Sequence, residues 1–162
     1  MKRETIKYPE ALFRLYRRHR VFPVWYLEHE GLFHKRWLRS KQIPKYGFGE
    51  FFTAIHFRNR GYRVLVGGYR NENIDRKRYR IALRLLGRRA AKFILRPKGT
   101  HPPDLLVYGK RQRPFFVEVK MPWDRLSEKQ KAFFVAMERD FPWRIRIVHL
   151  KPRRNLLASA IT

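Results

Sequence analysis

The sequence of 162 residues contains no cysteine. Disulfide bonds, thiolate zinc sites and cysteine nucleophiles are therefore excluded for these residues. The sequence also lacks a run of about eighteen apolar residues, so no membrane-spanning helix is expected. The first residues, MKRETIKYPEALFR, lack the apolar stretch of a secretory signal. Together these absences favour a cytoplasmic protein.

Acidic residues are scarce as well. The chain has 13 Asp and Glu against 39 Lys and Arg, which gives a formal net charge of +26 at pH 7. A compact domain with this charge repels itself unless a polyanion neutralises it. An acidic membrane surface is one candidate, but no basic amphipathic helix or lipidation motif is obvious. We expect nucleic acid as the partner, because neutralised phosphates release their counterions.

Apolar residues are abundant enough for a core, since 44% of the chain is hydrophobic and 15% is aromatic. Periodicity and turn residues predict a helix over 49–60, a strand over 62–66, a helix over 74–93, a hairpin of 104–108 and 115–120, a helix over 127–139 and a strand over 144–150. This order is typical of an α/β fold with a mixed central sheet flanked by helices.

The predicted domain organisation has three parts. Residues 1–46 are expected to form a basic and aromatic N-terminal extension with one or two short helices. Residues 47–150 are expected to form the folded domain, and residues 151–162 a tail.

Four arginines recur at every fourth position of the helix predicted over 74–93. They are Arg76, Arg80, Arg84 and Arg88. Like charges at this spacing destabilise an isolated helix by a few tenths of a kcal/mol per pair, and acids that could pair with them are nearly absent locally. We therefore predict that an anion lies along this row. The alternative is a solvated helix face.

Two of the scarce acids belong to the predicted hairpin. Asp104 stands at the start of its first strand, and Glu118 and Lys120 share one face of the second. Two carboxylates, with the Val119 carbonyl between them, can hold Mg²⁺ or Mn²⁺. Lys120 can stabilise charge on a phosphate under attack. The alternative is a surface hairpin with a Glu–Lys pair, which a bare E-x-K pattern indicates more often.

Two further polar residues stand at the apolar faces of predicted helices. Gln130 follows Ser127 in a capping-box pattern and shares a stripe with Phe134. A buried glutamine needs partners, which a nearby active site supplies, but Gln130 can also serve the capping box alone. Glu50 can face a metal, or it can simply complement the dipole of its helix.

The segments PDLL and FFVEVKMPWDRLSEKQ resemble the signature of the VRR-NUC domain (virus-type replication-repair nuclease), a branch of the PD-(D/E)xK nuclease superfamily. The resemblance covers about residues 47–150, and its most specific part is the run EVK-x-P-x-DRLS-x-KQ. The matching positions are Pro103, Asp104, Glu118, Val119, Lys120, Pro122, Asp124, Arg125, Leu126, Ser127, Lys129 and Gln130. Gly49 and Glu50 resemble an upstream acidic position of the family.

This resemblance implies a restriction-endonuclease-like fold and hydrolysis of DNA phosphodiester bonds that depends on Mg²⁺ or Mn²⁺. It implies metal ligation by Asp104 and Glu118, a catalytic Lys120, and supporting roles for Glu50 and Gln130. We also count Glu50 and the Val119 carbonyl as candidate metal ligands.

The family also suggests what the substrate is. Small stand-alone members resemble Holliday-junction resolvases and act as homodimers, and the Fanconi-associated nuclease cuts branched DNA. We therefore expect a structure-specific endonuclease of branched DNA, such as Holliday junctions or flaps, in repair or recombination. A nucleoid-associated location, or the cytosol of a virus-infected host, would suit it.

The sequence departs from the family pattern at Met121 and Trp123, where small residues are usual. A bulky loop beside the metal can narrow access to it or stack on a base, so we expect Trp123 and Arg125, with the arginine row, to contact DNA. The alternative function is a non-catalytic basic module that binds DNA or RNA and retains the nuclease fold. Charge alone would also suit a structural RNA-binding protein.

Overall fold

The structure is a computed structural model that describes residues 1–43, 45–70, 72–95, 102–109 and 113–153. The middle of the predicted hairpin loop and residues 154–162 of the predicted tail lie outside the described residues. In the part of the chain that the structure describes, no helix is long and apolar enough to cross a membrane.

One mixed sheet forms the centre of the molecule. The elements follow in the order β1 (Lys2–Pro9), α1 (Glu10–Arg17), α2 (Phe22–Glu28), α3 (Phe48–Asn59), β2 (Arg63–Val66), α4 (Arg76–Ile94), β3 (Leu105–Tyr108), β4 (Phe115–Lys120), α5 (Glu128–Asp140) and β5 (Arg144–Arg153). The strand order is β1-β5-β4-β3-β2. Strand β5 is parallel to β1 and β4, whereas β3 is antiparallel to β2 and β4. The predicted α/β class, with a restriction-endonuclease-like mixed sheet flanked by helices, is confirmed.

The two faces of the sheet belong to two separate cores, because alternate residues of a strand point to opposite sides. On β4, Val117 and Val119 join the core that α1, α2 and α3 cover. Phe116 joins the core that α4 and α5 cover. Glu118 and Lys120 share the face of Phe116, so β4 delivers two charged side chains to the end of that second core.

The N-terminal segment contributes a strand that the sequence did not predict. β1 pairs with β5 along its whole length. Ile6 and Tyr8 are buried, and the Tyr8 ring lies edge-on against Phe13 and Phe48. Only these two apolar residues mark the inner face of β1 among charged neighbours, so its alternation is too short to be recognised. The division of the chain at residue 46 stays a prediction.

A buried arginine also fastens the N-terminal segment to α4. Arg78 is 8% exposed, and its guanidinium group donates to Asp75 at 3.1 Å and to the carbonyls of Gly31 and Leu32 at 3.1 and 2.9 Å. The Asp75 carboxylate also accepts the backbone N–H of Arg78 and thereby caps α4. These charge-assisted hydrogen bonds hold the segment against the sheet's flanking helix.

Helix α4 carries the predicted arginine row, but the row is not continuous. Gly87 has a φ of 76° and a ψ of 160°, which interrupts the helix. Arg88 lies beyond this kink, so only Arg76, Arg80 and Arg84 form a row on one uninterrupted stretch of helix. All four side chains are exposed. The prediction of one straight row of four is therefore wrong, because it assumed an unbroken helix.

We predict that β1 is essential to stability. Replacing Tyr8, which is 2% exposed, with alanine should lower the free energy of unfolding by about 3–5 kcal/mol, because the cavity between Phe13 and Phe48 cannot collapse fully. Thr5→Ala, an exposed position of the same strand, is the matched control and should change it by less than about 0.5 kcal/mol. Denaturant unfolding measures both. Equal stabilities would contradict the burial of β1 in the core.

Candidate active site

The polar residues of the predicted hairpin meet where β3 begins and β4 ends. Because these strands are antiparallel, the start of one lies beside the end of the other. The backbone N–H of Val119 donates to Asp104 Oδ2 at 2.8 Å. Lys120 Nζ and Glu118 Oε1 are 2.7 Å apart, and these side chains are only 8% and 3% exposed. The pair is therefore a buried ion pair and not a surface one.

Helix α5 adds Gln130 to this ion pair. Its Nε2 donates to Glu118 Oε1 at 2.8 Å, and its Oε1 accepts from Lys120 Nζ at 3.4 Å. The same Oε1 accepts the backbone N–H of Ser127, whose hydroxyl accepts the N–H of Gln130 in return. Gln130 therefore completes the capping box and also satisfies buried polar groups of β4, so the alternative that it serves the capping box alone is wrong.

Glu50 approaches the same region from the other side of the sheet. It lies in the first turn of α3, which packs closely on β4 because residue 49 is glycine. A Cβ atom there would lie 3.1 Å from Met121 Sδ and 3.2 Å from Val119 Cγ1. Burial and the negative charge of Asp104 raise the pKa of Glu50 to about 7. Glu50 thus faces the cluster while occupying the turn where an acid suits the helix dipole.

Burial and a neighbouring negative charge also disfavour the ionisation of Glu118. Burial, followed by the charge of Asp104, raises the pKa of Glu118 to about 7, although Lys120 opposes this shift. A divalent cation would relieve the repulsion among Glu50, Asp104 and Glu118, and carboxylate oxygens are the ligands that Mg²⁺ and Mn²⁺ prefer. The chemistry of this donor set therefore fits such a cation.

Among the residues that the structure describes, no group of three or more Asp, Glu, His or Cys side chains is arranged to hold a metal ion. The metal-ligand roles of Glu50, Asp104, Glu118 and the Val119 carbonyl stay predictions, as does the catalytic role of Lys120.

Arg70 belongs to the site although no sequence pattern indicated it. Its Nη2 lies 3.3 Å from Asp104 Oδ1. Burial opposes its charge, but the facing Tyr69, Asp104 and Glu118 outweigh burial and raise the pKa of Arg70. Its guanidinium group therefore neutralises the carboxylate that is predicted to bind metal.

The topology of β2 explains the position of Arg70. β2 is antiparallel to β3, so the residues that follow β2 lie beside those that precede β3. The backbone N–H of Gly67 donates to the Asp104 carbonyl at 3.4 Å, and the buried Tyr69 hydroxyl donates to the Pro103 carbonyl. The Gly67–Gly68 turn, read together with this strand pairing, is the signal that could have identified Arg70.

A cavity of about 310 Å³ opens beside Glu50, Asp104 and Arg70. Its remaining lining is mostly contributed by residues 37–47 of the N-terminal segment. These lining residues are Trp37, Ser40, Gln42, Ile43, Tyr46 and Gly47. A larger cavity of about 680 Å³ borders Arg58 and Arg78, but Glu50, Asp104 and Glu118 do not line it. Cavity size alone therefore does not identify the site.

The loop between β4 and α5 holds the other predicted DNA-contacting residues. Trp123 and Arg125 are exposed, and the Trp123 ring lies 5.8 Å from that of Phe13. The Met121 backbone N–H donates to Asp124 Oδ2 at 3.2 Å, and the Asp124 N–H donates to the Met121 carbonyl at 2.9 Å. This closed turn fixes the backbone beneath the Trp123 ring.

Comparison with known protein families finds a family model that matches the chain. The family model described as the VRR-NUC domain matches residues 55–151, which is more than half of the chain. The matched range includes Asp104, Glu118, Lys120 and Gln130 and begins after Glu50. No curated protein and no solved structure matches the chain.

The burial of Glu50, with the negative charge of Asp104 beside it, predicts a dependence of stability on pH. A folded pKa of about 7 for Glu50, against an ordinary value of 4.5, means that stability is lost as the pH rises from about 4.5 to 7. Without divalent cations, Glu50→Gln should therefore raise the free energy of unfolding at pH 8 by about 1–3 kcal/mol, and by much less at pH 4.5.

Glu128→Gln is the matched control for this experiment. Glu128 also lies in the first turn of a helix, but its side chain is 87% exposed, so only the dipole contribution and an exposed ion pair with Lys131 are lost. Denaturant unfolding at both pH values, in EDTA, compares the two variants. A Glu50→Gln variant no more stable than wild type at pH 8 would contradict the raised pKa of Glu50.

Proposed function

Because the chain belongs to the VRR-NUC domain family, a family of nucleases, we propose that it is a DNA endonuclease that hydrolyses phosphodiester bonds with Mg²⁺ or Mn²⁺. One observation carries the proposal. The buried Glu118–Lys120 ion pair, held by Gln130, is joined through the Val119 N–H to Asp104. This cluster combines carboxylate ligands with a fixed cation at the end of one strand.

Asp104 and Glu118 would hold the cation, with Glu50 and the Val119 carbonyl as further candidate ligands. When bound, the cation supplies Lewis acidity at the phosphate and lowers the pKa of water. Lys120 supplies a second positive charge, which is held in place by Glu118 and Gln130 and is screened little because it is buried. Its ammonium group can stabilise the negative charge that develops on the phosphate.

DNA would be held by the basic surface around this site. We assign phosphate contacts to the exposed arginines, and a base contact to Trp123. The arginines are Arg76, Arg80, Arg84, Arg88 and Arg125. Branched DNA, such as a Holliday junction or a flap, is the proposed substrate, with products that carry 5′-phosphate and 3′-hydroxyl groups. Cutting two strands in step would suit a homodimer in repair or recombination.

One observation favours a second candidate function. Arg70 and Lys120 already form ion pairs with Asp104 and Glu118, so the protein's own cations neutralise both carboxylates. A non-catalytic module that binds DNA or RNA could use this arrangement simply to stabilise the fold. Tight, salt-sensitive binding without cleavage of any branched or linear substrate would support this candidate.

We predict that Asp104→Asn and Glu118→Gln each reduce cleavage at least about a hundredfold while DNA binding persists, because each removes a ligand charge but little volume. The assay offers four-way junction, flap, single-stranded and duplex DNA with Mg²⁺, Mn²⁺ or EDTA. Mg²⁺ should also raise the melting temperature of the wild type but not that of Asp104→Asn.

Asp140→Asn is the matched control, because Asp140 lies on the surface and pairs with the adjacent Arg139. It should cleave like the wild type. Metal-dependent cleavage that persists in both Asp104→Asn and Glu118→Gln would refute the site assignment.

The arginines before the kink in α4 predict a change in salt dependence. A double variant, Arg80→Ala with Arg84→Ala, should reduce the slope of log affinity against log salt by about two, and weaken binding similarly for all DNA sequences. Arg139→Ala serves as the control, since Asp140 already offsets its charge. Fluorescence anisotropy at several salt concentrations measures both slopes. An unchanged slope in the double variant would place the DNA elsewhere.

A further inference from the structure

The protein leaves two aromatic side chains in solvent, and both lie at the candidate active site. The sequence has 4 Trp, 8 Tyr and 13 Phe residues. All of them fall within the described residues, and there only Tyr46 and Trp123 are exposed, at 69% and 63%. The other aromatic side chains are buried or partly buried in the two cores.

Tyr46 lies at the mouth of the cavity beside the carboxylates. It lines the same space as Glu50, Asp104 and Arg70. Its backbone is held in place, because its carbonyl accepts the hydroxyl of the buried Tyr16 at 2.7 Å. The side chain is therefore presented to solvent from a fixed backbone position, two residues before α3 begins at Phe48.

Trp123 approaches the same end of α3 from the loop after β4. Its ring contacts Phe13, and the Phe13 ring lies 4.9 Å from Phe48, the first residue of α3. Met121, two residues before Trp123, also lies against Gly49, the neighbour of Glu50, because a Cβ atom on Gly49 would lie 3.1 Å from Met121 Sδ. Trp123 is thus supported on one side by Phe13 and open on the other, near the turn of α3 that carries Glu50.

The surroundings of these rings favour a nucleic-acid ligand over a protein or a membrane. An apolar interface would need a contiguous patch, but the neighbours of the two rings along the chain include the exposed Lys45 and Arg125. Aromatic rings interspersed with basic residues are the usual platform for bases of unpaired strands, because the rings stack while the cations neutralise phosphates. Bases inside a duplex are already stacked on one another.

We propose that Tyr46 and Trp123 stack on unpaired nucleobases that flank the scissile phosphate. The recognised element is then a single-stranded segment, such as a flap, a fork or a splayed junction, and not continuous duplex. This inference rests on the proposed nuclease function and narrows its substrate class.

Tryptophan fluorescence tests the proposal without any need for cleavage. Trp123 is the exposed tryptophan among the four, so base stacking should quench its emission. The probes are oligothymidine and a blunt-ended duplex, titrated in EDTA. Oligothymidine should quench the wild type strongly and Trp123→Phe much less, whereas the duplex should quench neither strongly.

Affinities measured by anisotropy complete the test. Trp123→Ala and Tyr46→Ala should each weaken oligothymidine binding about five- to a hundredfold and duplex binding less than about twofold. Trp123→Phe should retain most of the affinity, because phenylalanine can still stack. Leu27→Ala and Val135→Ala, which truncate exposed aliphatic residues on α2 and α5, are the matched controls and should bind like the wild type.

Equal losses for oligothymidine and duplex, or no loss for either, would overturn the proposal. The titrations in EDTA separate this result from the fate of the nuclease function. Cleavage that depends on Asp104 without selective binding of oligothymidine would support the nuclease function and refute base stacking on Tyr46 and Trp123. Selective binding of oligothymidine that depends on these two residues, in a protein that cleaves no substrate, would support stacking and refute the nuclease function.

Discussion

The end of the sheet that carries the candidate active site depends on the burial of Glu118 and Lys120 at the end of β4. Removing two charges from water is expensive, and such a pair often contributes little to stability compared with apolar residues of the same size. It is tolerated here because the two charges meet at 2.7 Å and Gln130 bonds to both. The same strand fixes Asp104 through a backbone N–H, so one short segment positions three polar side chains. The cluster is therefore not an arrangement that stability alone requires.

Helices from the two cores bring side chains to this cluster from opposite sides of the sheet. Gln130 comes from the side of α4 and α5, and Glu50 comes from the side of α1 to α3. Gly49 allows the second approach, because any larger residue would press on Met121 and Val119. The N-terminal segment is part of this arrangement, since its residues pack against α3 and line the cavity beside Asp104. The site therefore lies where both layers of the fold converge on the ends of the strands.

The basic surface and the carboxylate cluster act on a phosphate in opposite directions, and a divalent cation at the cluster would reduce this opposition. The surface is strongly positive and attracts phosphates, whereas Glu50, Asp104 and Glu118 would repel a phosphate that came close. Arg70 and Lys120 offset part of this negative charge, but burial and the charge of Asp104 still raise the pKa of Glu50 and Glu118. A cation bound by the carboxylates would reduce the remaining repulsion.

The sequence by itself determined the features that arise between near neighbours. Alternation along β4 placed Glu118, Lys120 and Phe116 on one face, and the capping box at Ser127 fixed where α5 begins. Contacts between distant segments were decided only by the tertiary structure. β1 pairs with a strand about 144 residues later, and Arg70, which follows β2, reaches Asp104 at the start of the neighbouring strand β3. The backbone conformation of Gly87, which breaks the arginine row, was also visible only in the structure. The exposure of Tyr46 and Trp123 was likewise decided only by the tertiary structure. Local patterns follow from the period of a helix or a strand, whereas register, burial and exposure depend on which segments pack together, and no short stretch of sequence contains that information.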